Sequence, residues 1–366
     1  MAGHLHSHGS GLEFGPIASF VHSLDLIGAN GRWYRIEPAS GPTDPARYRA
    51  AHPDRELVKD DDWFLSVVVS VGCMGILVAA MLEVEPAYWL KEVRALSTWG
   101  TVREALQRRE VLRDNRHYEV YVNPHPNPHG DHTCLVTTRN RTDAPGNVPR
   151  DKLERNILVE LAAGLPIVPK LLNLLFDWRP PITPALLDRG LAALVDEYTN
   201  KSYKVLNIGS ANRLPAYSSE IGVPVDDRNV HIQAVDRILE IAAARRRLGE
   251  VYHTSPLALR FVRRSPAYLS MMFGADTMMI ELILLKDTEG GFELLDTYEN
   301  ALYPLGGRPH WGQYNTFNGS GALLRSLYPM SDRWRTVLGR LNSSRVFDSP
   351  FAKRVGIAPN GGNDSP

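Results

Sequence analysis

An uncharged apolar run from residue 65 to residue 82 constrains the fold more than any other feature. It reads LSVVVSVGCMGILVAAML, and about 18 such residues are enough to span a membrane as a helix. Its first half is rich in β-branched valine, and Gly72 and Gly75 interrupt it. It lies between the acidic residues 60–62 and Glu83, without the basic and aromatic anchors of a membrane span. We therefore interpret it as two buried strands joined by a tight turn.

The size and charge of the chain exclude several classes of protein. With 366 residues, two or three domains are expected. Lys plus Arg and Asp plus Glu number 41 each, so no bulk charge attracts nucleic acid. Two cysteines cannot form a disulfide framework, which favours a reducing compartment and a cytoplasmic location. The first 15 residues contain no apolar segment typical of a secretory signal.

Local patterns predict strands and helices in an irregular order. A hairpin turn at residues 29–31 separates two strands, and the periodicity of residues 229–248 predicts a helix that ends at Gly249. The other predicted strands cover residues 118–122, 134–138, 258–262 and 278–285. Because strands and helices do not alternate regularly, the fold class is predicted to be α+β.

Two glycine-containing turns could hold a ligand. His8, Gly9, Ser10 and Gly11 form one, and Gly72, Gly75 and Ile76 mark the other. Glycine lets backbone N–H groups approach a phosphate or a flat cofactor closely. The alternatives are an ordinary glycine turn for the first and a sharp bend in a core sheet for the second.

Three further side chains have the chemistry of an active site. Glu281 stands alone in the apolar segment TMMIELILL, where an unpaired carboxylate costs several kcal/mol. It therefore lies either on a solvated face or in a polar site, and we favour the site. His310 and Trp311 offer a proton-transfer group and a flat surface on one loop. The alternative for this loop is a surface segment with a packed Trp.

Histidine-rich segments do not predict a metal site. His4, His6 and His8 alternate, but no carboxylate at a matching spacing completes a ligand set. The segment from His125 to His132 is rich in proline and is interpreted as a solvated loop.

Several segments, in this order, resemble one enzyme family. They are HSHGSGLEFG near the start, DDDWFLSVVVSVGCMGILVAAMLEVEP, and then PAYSSEIGVP, SPLALRFVRRSPAYLSM and GRPHWGQYN. The chain resembles FAD-linked oxidases of the vanillyl-alcohol-oxidase superfamily, in the D-arabinono-1,4-lactone oxidase and alditol oxidase branch. Such oxidases have a PCMH-type FAD-binding domain and a substrate-binding, or cap, domain built on an antiparallel sheet with flanking helices.

The resemblance implies a domain division. Residues 1–88 would be the C-terminal part of the FAD-binding domain, and residues 89–305 the substrate-binding domain. Residues 306–357 would form a closing segment that returns towards the flavin, and residues 358–366 a disordered tail.

The resemblance also implies roles for single residues. His8, Gly9, Ser10, Gly11, Gly72, Gly75 and Ile76 would lie along FAD, with Trp311 near the flavin. Glu281, His310 and Gln313 would be catalytic. The expected reaction is oxidation of a CH–OH group of a lactone, an alditol or a related alcohol, with hydride transfer to FAD and molecular oxygen as acceptor. The apolar sequence around Glu281 favours a substrate less polar than a sugar lactone.

The sequence departs from the family pattern at three points. Relatives often have Lys where this chain has Gln313, and Arg where it has Ile283. Seven residues precede His8, whereas the family has a further FAD subdomain upstream. We therefore expect a fragment, a product of a mis-assigned start, or one half of a split enzyme whose complementing chain carries that subdomain. The alternative is a non-catalytic or fragmentary relative that retains only the substrate-binding module.

Residues 164–178 provide an apolar segment for peripheral membrane contact, or a helix pair packed on the domain.

Overall fold

The computed structural model describes residues 11–146, 180–206, 215–249, 251–319 and 321–358. His8, Gly9, Ser10 and the segment 164–178 lie outside these ranges. None of the helices within them combines the length and the apolar character that a membrane crossing requires.

The described ranges contain both strands and helices. The strands are β1 (Val21–Ile27), β2 (Trp33–Glu37), β3 (Arg55–Lys59), β4 (Ile76–Leu82), β5 (Trp89–Thr98), β6 (His117–Pro126), β7 (His132–Arg141), β8 (Asp196–Lys201), β9 (Ala216–Pro224), β10 (Leu257–Val262), β11 (Thr277–Leu285) and β12 (Arg308–Pro309). The helices are α1 (Pro45–Ala51), α2 (Asp61–Val67), α3 (Trp99–Arg108), α4 (Glu110–Asp114), α5 (Thr183–Ala193), α6 (Ser202–Val205), α7 (Val230–Arg247), α8 (Gly291–Leu302), α9 (Gly321–Leu327), α10 (Ser331–Leu341) and α11 (Pro350–Arg354).

A small sheet with the strand order β3-β2-β1-β4 forms near the start of the described chain. The predicted hairpin is present: β1 and β2 are antiparallel, with Leu24 opposite Ile36. Gly31 adopts a φ of 74° in the turn, which glycine tolerates without steric penalty. Leu24, Tyr34 and Ile36 face a hydrophobic core. The alternation of side chains along β2 thus determines which face of the small sheet is buried.

The apolar run folds differently from the prediction of two buried strands, which is wrong in both halves. Its first half continues helix α2, because the Asp60 side chain accepts a hydrogen bond from the Trp63 N–H and caps the helix. Its second half forms β4, an edge strand whose side chains are mostly exposed. The glycine turn lies between the two elements, and Gly75 has a φ of 146°.

A larger sheet has the strand order β12-β9-β11-β10-β6-β7-β5-β8. Every pairing within it is antiparallel. One of its faces packs against α3, α7 and α8 in a continuous core that includes Val235, Ile280 and Tyr298. Helix α7 and strands β10 and β11 lie close to the predicted ranges. The predicted α+β class is thus confirmed.

The C-terminal helices return to the small sheet. Trp334 of α10 is fully buried, and its indole N–H donates to the backbone carbonyls of Ser66 and Val69 at 3.1 and 3.0 Å. Residues 311–358 share one core with residues 21–74. The predicted division into domains at residues 88, 305 and 357, with a closing segment that returns towards the flavin, stays a prediction.

Substitution of Gly75 by Ala tests the turn that ends in β4. A Cβ atom there would lie 2.5 Å from the carbonyl oxygen of Ile27, and the backbone strain alone costs roughly 1–3 kcal/mol. We expect Gly75→Ala to lower the free energy of unfolding by at least that amount in urea titrations. Gly339→Ala is the control, because that exposed helical position has open space and Ala should stabilise it by roughly 0.5–1 kcal/mol. Equal stability of both variants would contradict the strained turn.

Candidate active site

One face of the large sheet carries a row of charged side chains that crosses several strands. Directly paired residues share a face of an antiparallel sheet. Glu220 of β9 pairs with Glu281 of β11, and Arg260 of β10 pairs with Glu119 of β6. Arg139 of β7 pairs with Glu92 of β5. We call these six residues, together with Arg94, the charged row.

Ion pairs connect the charged side chains of this row. Arg139 donates from Nε to Glu92 at 2.7 Å and from Nη1 to Glu119 at 3.0 Å. Arg260 contacts Glu281 directly and lies 3.4 Å from Glu220. Arg94 pairs with Glu92 at 3.0 Å. Each buried carboxylate in the row therefore has a guanidinium partner, the condition under which burial of a charge is tolerated.

The electrostatics of the row favour ionised side chains. Burial acts to raise the pKa of Glu119, but the charges of Arg139 and Arg260 outweigh it and hold that pKa below its usual value. Burial acts to lower the pKa of Arg260, but Glu281 and Glu220 outweigh it and raise that pKa. Both groups are therefore charged at neutral pH.

The row ends in a cluster of hydrogen-bonding groups. The Ser218 hydroxyl lies 3.2 Å from Glu281 Oε1 and 3.0 Å from Gln313 Oε1, so it can donate to either. Gln313 Nε2 donates to Glu220 at 3.5 Å. The structure thus brings Glu281 and Gln313 together, two of the three residues predicted to be catalytic. We call Ser218, Glu220, Arg260, Glu281 and Gln313 the polar cluster.

The cation in this cluster is a residue that the sequence analysis did not single out, although it predicted the strand that carries it. Ile283 and Gln313 take the places where relatives often have basic residues, and Ile283 pairs with Ser218. Arg260 instead reaches Glu281 from the neighbouring strand β10. A sequence signal existed, since Arg260 interrupts the apolar segment LALRFV just as Glu281 interrupts its own segment.

His310 and Trp311 take different positions. The His310 backbone N–H donates to the Glu220 carbonyl at 2.8 Å, which places this residue beside the polar cluster. Its ring Nδ1 accepts from the Gly312 N–H at 3.0 Å. Trp311 is buried against Phe317 and Tyr328, and its indole N–H donates to the Leu269 carbonyl at 2.8 Å. Trp311 is thus part of the core of the C-terminal segment, and its predicted place near the flavin stays a prediction.

The glycine turns occupy closely packed or open positions. The Gly11 N–H donates to the Phe261 carbonyl at 2.7 Å, next to the end of β10. A Cβ atom at Gly11 would lie 1.8 Å from the Arg116 carbonyl oxygen, so only glycine fits. Gly72 has open space where its side chain would be, and Ile76 begins the exposed strand β4.

Strand β4 provides an apolar surface beside the second turn. Ile76 is 59% exposed, and the other exposed apolar residues are Leu77, Val78, Met81, Leu82 and Val84. Contiguous exposed apolar surface of this kind marks a binding surface. Successive side chains of β4 project to opposite faces of the sheet, so both faces of this edge strand offer apolar surface to a flat ring system beside the open glycine turn.

The histidine loop does not form a metal site. Within the described ranges, no group of three or more His, Cys, Asp or Glu side chains is arranged to hold a metal ion. His125 is buried, and its Nε2 lies 2.8 Å from the His253 carbonyl oxygen. The interpretation as a solvated loop is therefore wrong for His125, although His129 is exposed.

Comparison with known proteins decides the family. The sequence pattern of the family described as "ALO: D-arabinono-1,4-lactone oxidase" matches residues 80–355, which is three quarters of the chain. The chain belongs to this family. Members of the D-arabinono-1,4-lactone oxidase family are FAD-dependent oxidoreductases, so the predictions of an enzyme and of FAD as its cofactor are confirmed.

Individual relatives agree with this assignment. The chain is 24% identical to an L-gulono-1,4-lactone dehydrogenase of Mycobacterium tuberculosis over 95% of its own length and 71% of the relative. It is 24% identical to an alditol oxidase of Streptomyces, and the alignment covers 95% of this chain and 70% of the relative. It is 22% identical to the L-gulonolactone oxidase of Bos taurus, and that alignment covers 95% of this chain and 71% of the relative.

Solved structures show the same fold. The cholesterol oxidase of B. sterolicum aligns with a TM-score of 0.68 at 14% identity, covering 93% of this chain and 70% of that structure. A solvent-stable cholesterol oxidase aligns with a TM-score of 0.62 at 16% identity, covering 93% of this chain and 70% of that structure. The predicted PCMH-type oxidase fold is thereby confirmed.

Removal of the Arg260 charge tests the importance of the polar cluster for folding. Arg260→Met leaves Glu220 and Glu281 without their guanidinium, and a broken buried pair costs about 3–5 kcal/mol. We expect urea titrations to show a loss of this size. Arg264→Met is the matched control, because Arg264 is exposed to solvent and its pair with Asp276 contributes little to stability. Similar losses in both variants would show that the buried pairing does not stabilise the sheet.

Proposed function

We propose that the protein oxidises a CH–OH group of a neutral, hydroxyl-rich lactone or alditol, with FAD as hydride acceptor and molecular oxygen as the final electron acceptor. The observation that supports this most is the polar cluster, in which a carboxylate, a hydroxyl and an amide converge beside one guanidinium. Such groups can bind two or more hydroxyls of one small molecule.

The charge of the row favours a neutral substrate. It contains the carboxylates of Glu92, Glu119, Glu220 and Glu281 and the guanidinium groups of Arg94, Arg139 and Arg260. Carboxyl groups therefore outnumber guanidinium groups in the row by one. A hydroxy-acid anion would meet this excess at low dielectric and would be disfavoured.

The polar surroundings of Glu281 also change the expectation about substrate polarity. The apolar sequence around Glu281 favoured a substrate less polar than a sugar lactone. In the structure, Glu281 contacts Ser218 and Arg260 and faces Glu220 across the strands. These neighbours support a polar polyol or sugar lactone instead.

Each residue of the cluster has a role that follows from its contacts. FAD, when bound, supplies the acceptor for a hydride from the substrate carbon. Arg260 contacts Glu281 and holds it in place, and the Glu281 carboxylate can accept a hydrogen bond or a proton from the reacting hydroxyl. Ser218 and Gln313 orient neighbouring hydroxyls, and His310 stands beside them for proton transfer.

Strand β4 has a role in completing the cofactor site. We propose that further polypeptide, of this chain or of a complementing chain, covers its apolar surface together with FAD. The exposure of Ile76 and of its apolar neighbours on this edge strand supports the proposal.

Substitution of Glu281 tests the proposed role directly. Glu281→Gln keeps the size of the side chain but cannot accept a proton, and loss of general-base catalysis lowers rates about 10²–10⁴-fold. We expect a loss of this order in anaerobic flavin reduction by xylitol or L-gulono-1,4-lactone, with unchanged retention of FAD. Glu293→Gln on the exposed side of α8 is the control and should leave the rate unchanged.

Two results would contradict the proposal. One is an unchanged rate of flavin reduction in Glu281→Gln. The other is flavin reduction by lactate but not by either neutral compound. Oxygen consumption during turnover, absent if another acceptor is used, checks the final electron acceptor separately.

A further inference from the structure

A cavity of about 550 Å³ lies on the small sheet, away from the polar cluster. Strands β2 and β3 and helix α1 contribute its lining, which includes Trp33, Tyr48 and Arg55. Trp33 alternates with Tyr34, which faces the core, so Trp33 lies on the opposite face of the sheet. A cavity of this volume is large enough for a small metabolite.

The centre of this cavity is a guanidinium stacked on an indole. The Arg55 guanidinium carbon lies 3.9 Å from the centroid of the Trp33 ring. No carboxylate of the described residues forms an ion pair with Arg55, although exposed arginines nearby do form such pairs. Stacking fixes the plane of the guanidinium and leaves its edge for a planar or tetrahedral oxyanion.

Two buried donors at this position lack acceptors. Trp33 Nε1 and Arg55 Nε are both buried and have no hydrogen-bond partner among the described residues. A buried donor left unpaired costs about 1–3 kcal/mol, and native structures rarely retain one without a reason. Both groups can only donate, and Arg55 also interacts with the Tyr48 hydroxyl in the same lining. A phosphate oxygen, or a water molecule held by one, can accept from Trp33 Nε1 and Arg55 Nε.

The charges around the cavity also favour an anion. Arg32, Arg49, Arg55 and Lys59 line it, against Asp54 and Glu56. Arg32 lies 3.6 Å from Glu56, which leaves three cations and one carboxylate. Lys59 is held in place by hydrogen bonds to the backbone carbonyls of Gly41 and Thr43. The cavity therefore combines positive charge with a fixed geometry.

We propose that this cavity binds the phosphate group of a small phosphorylated metabolite, at a site separate from FAD and from the oxidised substrate. The cavity lies at the β3 edge of the small sheet, whereas the glycine turn leads into β4 at the other edge. Strands β2 and β1 lie between the two edges. The bound metabolite is thus a second ligand and does not take part in the oxidation.

Binding of inorganic phosphate to the full chain tests the proposal. Isothermal titration at constant ionic strength, with chloride as the balancing anion, should show saturable binding of one phosphate per chain. Arg55→Gln should weaken binding at least tenfold, because it removes the stacked charge, and Arg49→Gln should weaken it several-fold. Arg237→Gln is the control, since Arg237 is exposed on α7 and pairs with Glu240. This variant should bind phosphate like the unaltered chain.

Two control measurements distinguish a loss of phosphate binding from misfolding and from a loss of oxidation activity. Circular dichroism and flavin reduction by the preferred neutral substrate should be the same in Arg55→Gln, Arg49→Gln and the unaltered chain. The proposal is overturned if phosphate shows no saturable binding. It is also overturned if folded Arg55→Gln and Arg49→Gln bind phosphate as tightly as the Arg237→Gln control.

Discussion

The ion pairs of the charged row are the interaction on which the candidate active site depends. Four carboxylates project from one face of the large sheet, and each would be costly to bury alone. Arg139 and Arg260 each bridge two of these carboxylates, and Arg139 is itself almost completely buried. This network fixes the position of Glu281, because Arg260 pairs with Glu281 on the neighbouring strand β11 and with Glu220 on β9, the strand beyond it. The charged groups of the candidate site are therefore part of the structure of the sheet.

The rest of the fold packs on the opposite face of the large sheet and joins the sheet at its β12 end. The opposite face of the large sheet packs on α3, α7 and α8, which gives the charged row a rigid base. The small sheet and the C-terminal helices share a second core, and segment 306–319 connects it to the large sheet through β12. As a result, His310 and Gln313 reach the polar cluster from a segment that is anchored in the other core. This arrangement agrees with an FAD-dependent family in which cofactor and substrate meet between two structural units.

Sequence patterns predicted the elements that local periodicity determines. The β1–β2 hairpin, helix α7 and strands β10 and β11 follow from alternation, helical spacing and glycine turns. The prediction for the apolar run failed because the composition of the run suggested two buried strands. In the structure, Asp60 caps a helix in its first half and β4 lies at an exposed edge of the sheet. Composition alone does not reveal whether a strand lies at an edge, since that depends on pairing between distant segments.

The same limit applies to the site. An isolated charge in an apolar strand was enough to single out Glu281. Its partners Arg260 and Glu220 lie 21 and 61 positions away in the chain, and only the register of three strands brings them together. Arg260 could have been found by the rule that singled out Glu281, but their pairing could not.

A double-mutant cycle between Arg139 and Glu281 tests most directly whether the charged row acts as one unit. These residues lie on different strands, with Glu119 and Arg260 between them. Unfolding free energies are measured for Arg139→Met, Glu281→Gln, the double variant and the unaltered chain. We predict a coupling energy of at least about 0.5 kcal/mol. Glu119 interacts electrostatically with both Arg139 and Arg260, so removal of Arg139 changes the interaction between Glu119 and Arg260. Additivity within about 0.3 kcal/mol would contradict the account and show that the polar cluster is electrostatically independent of the rest of the row.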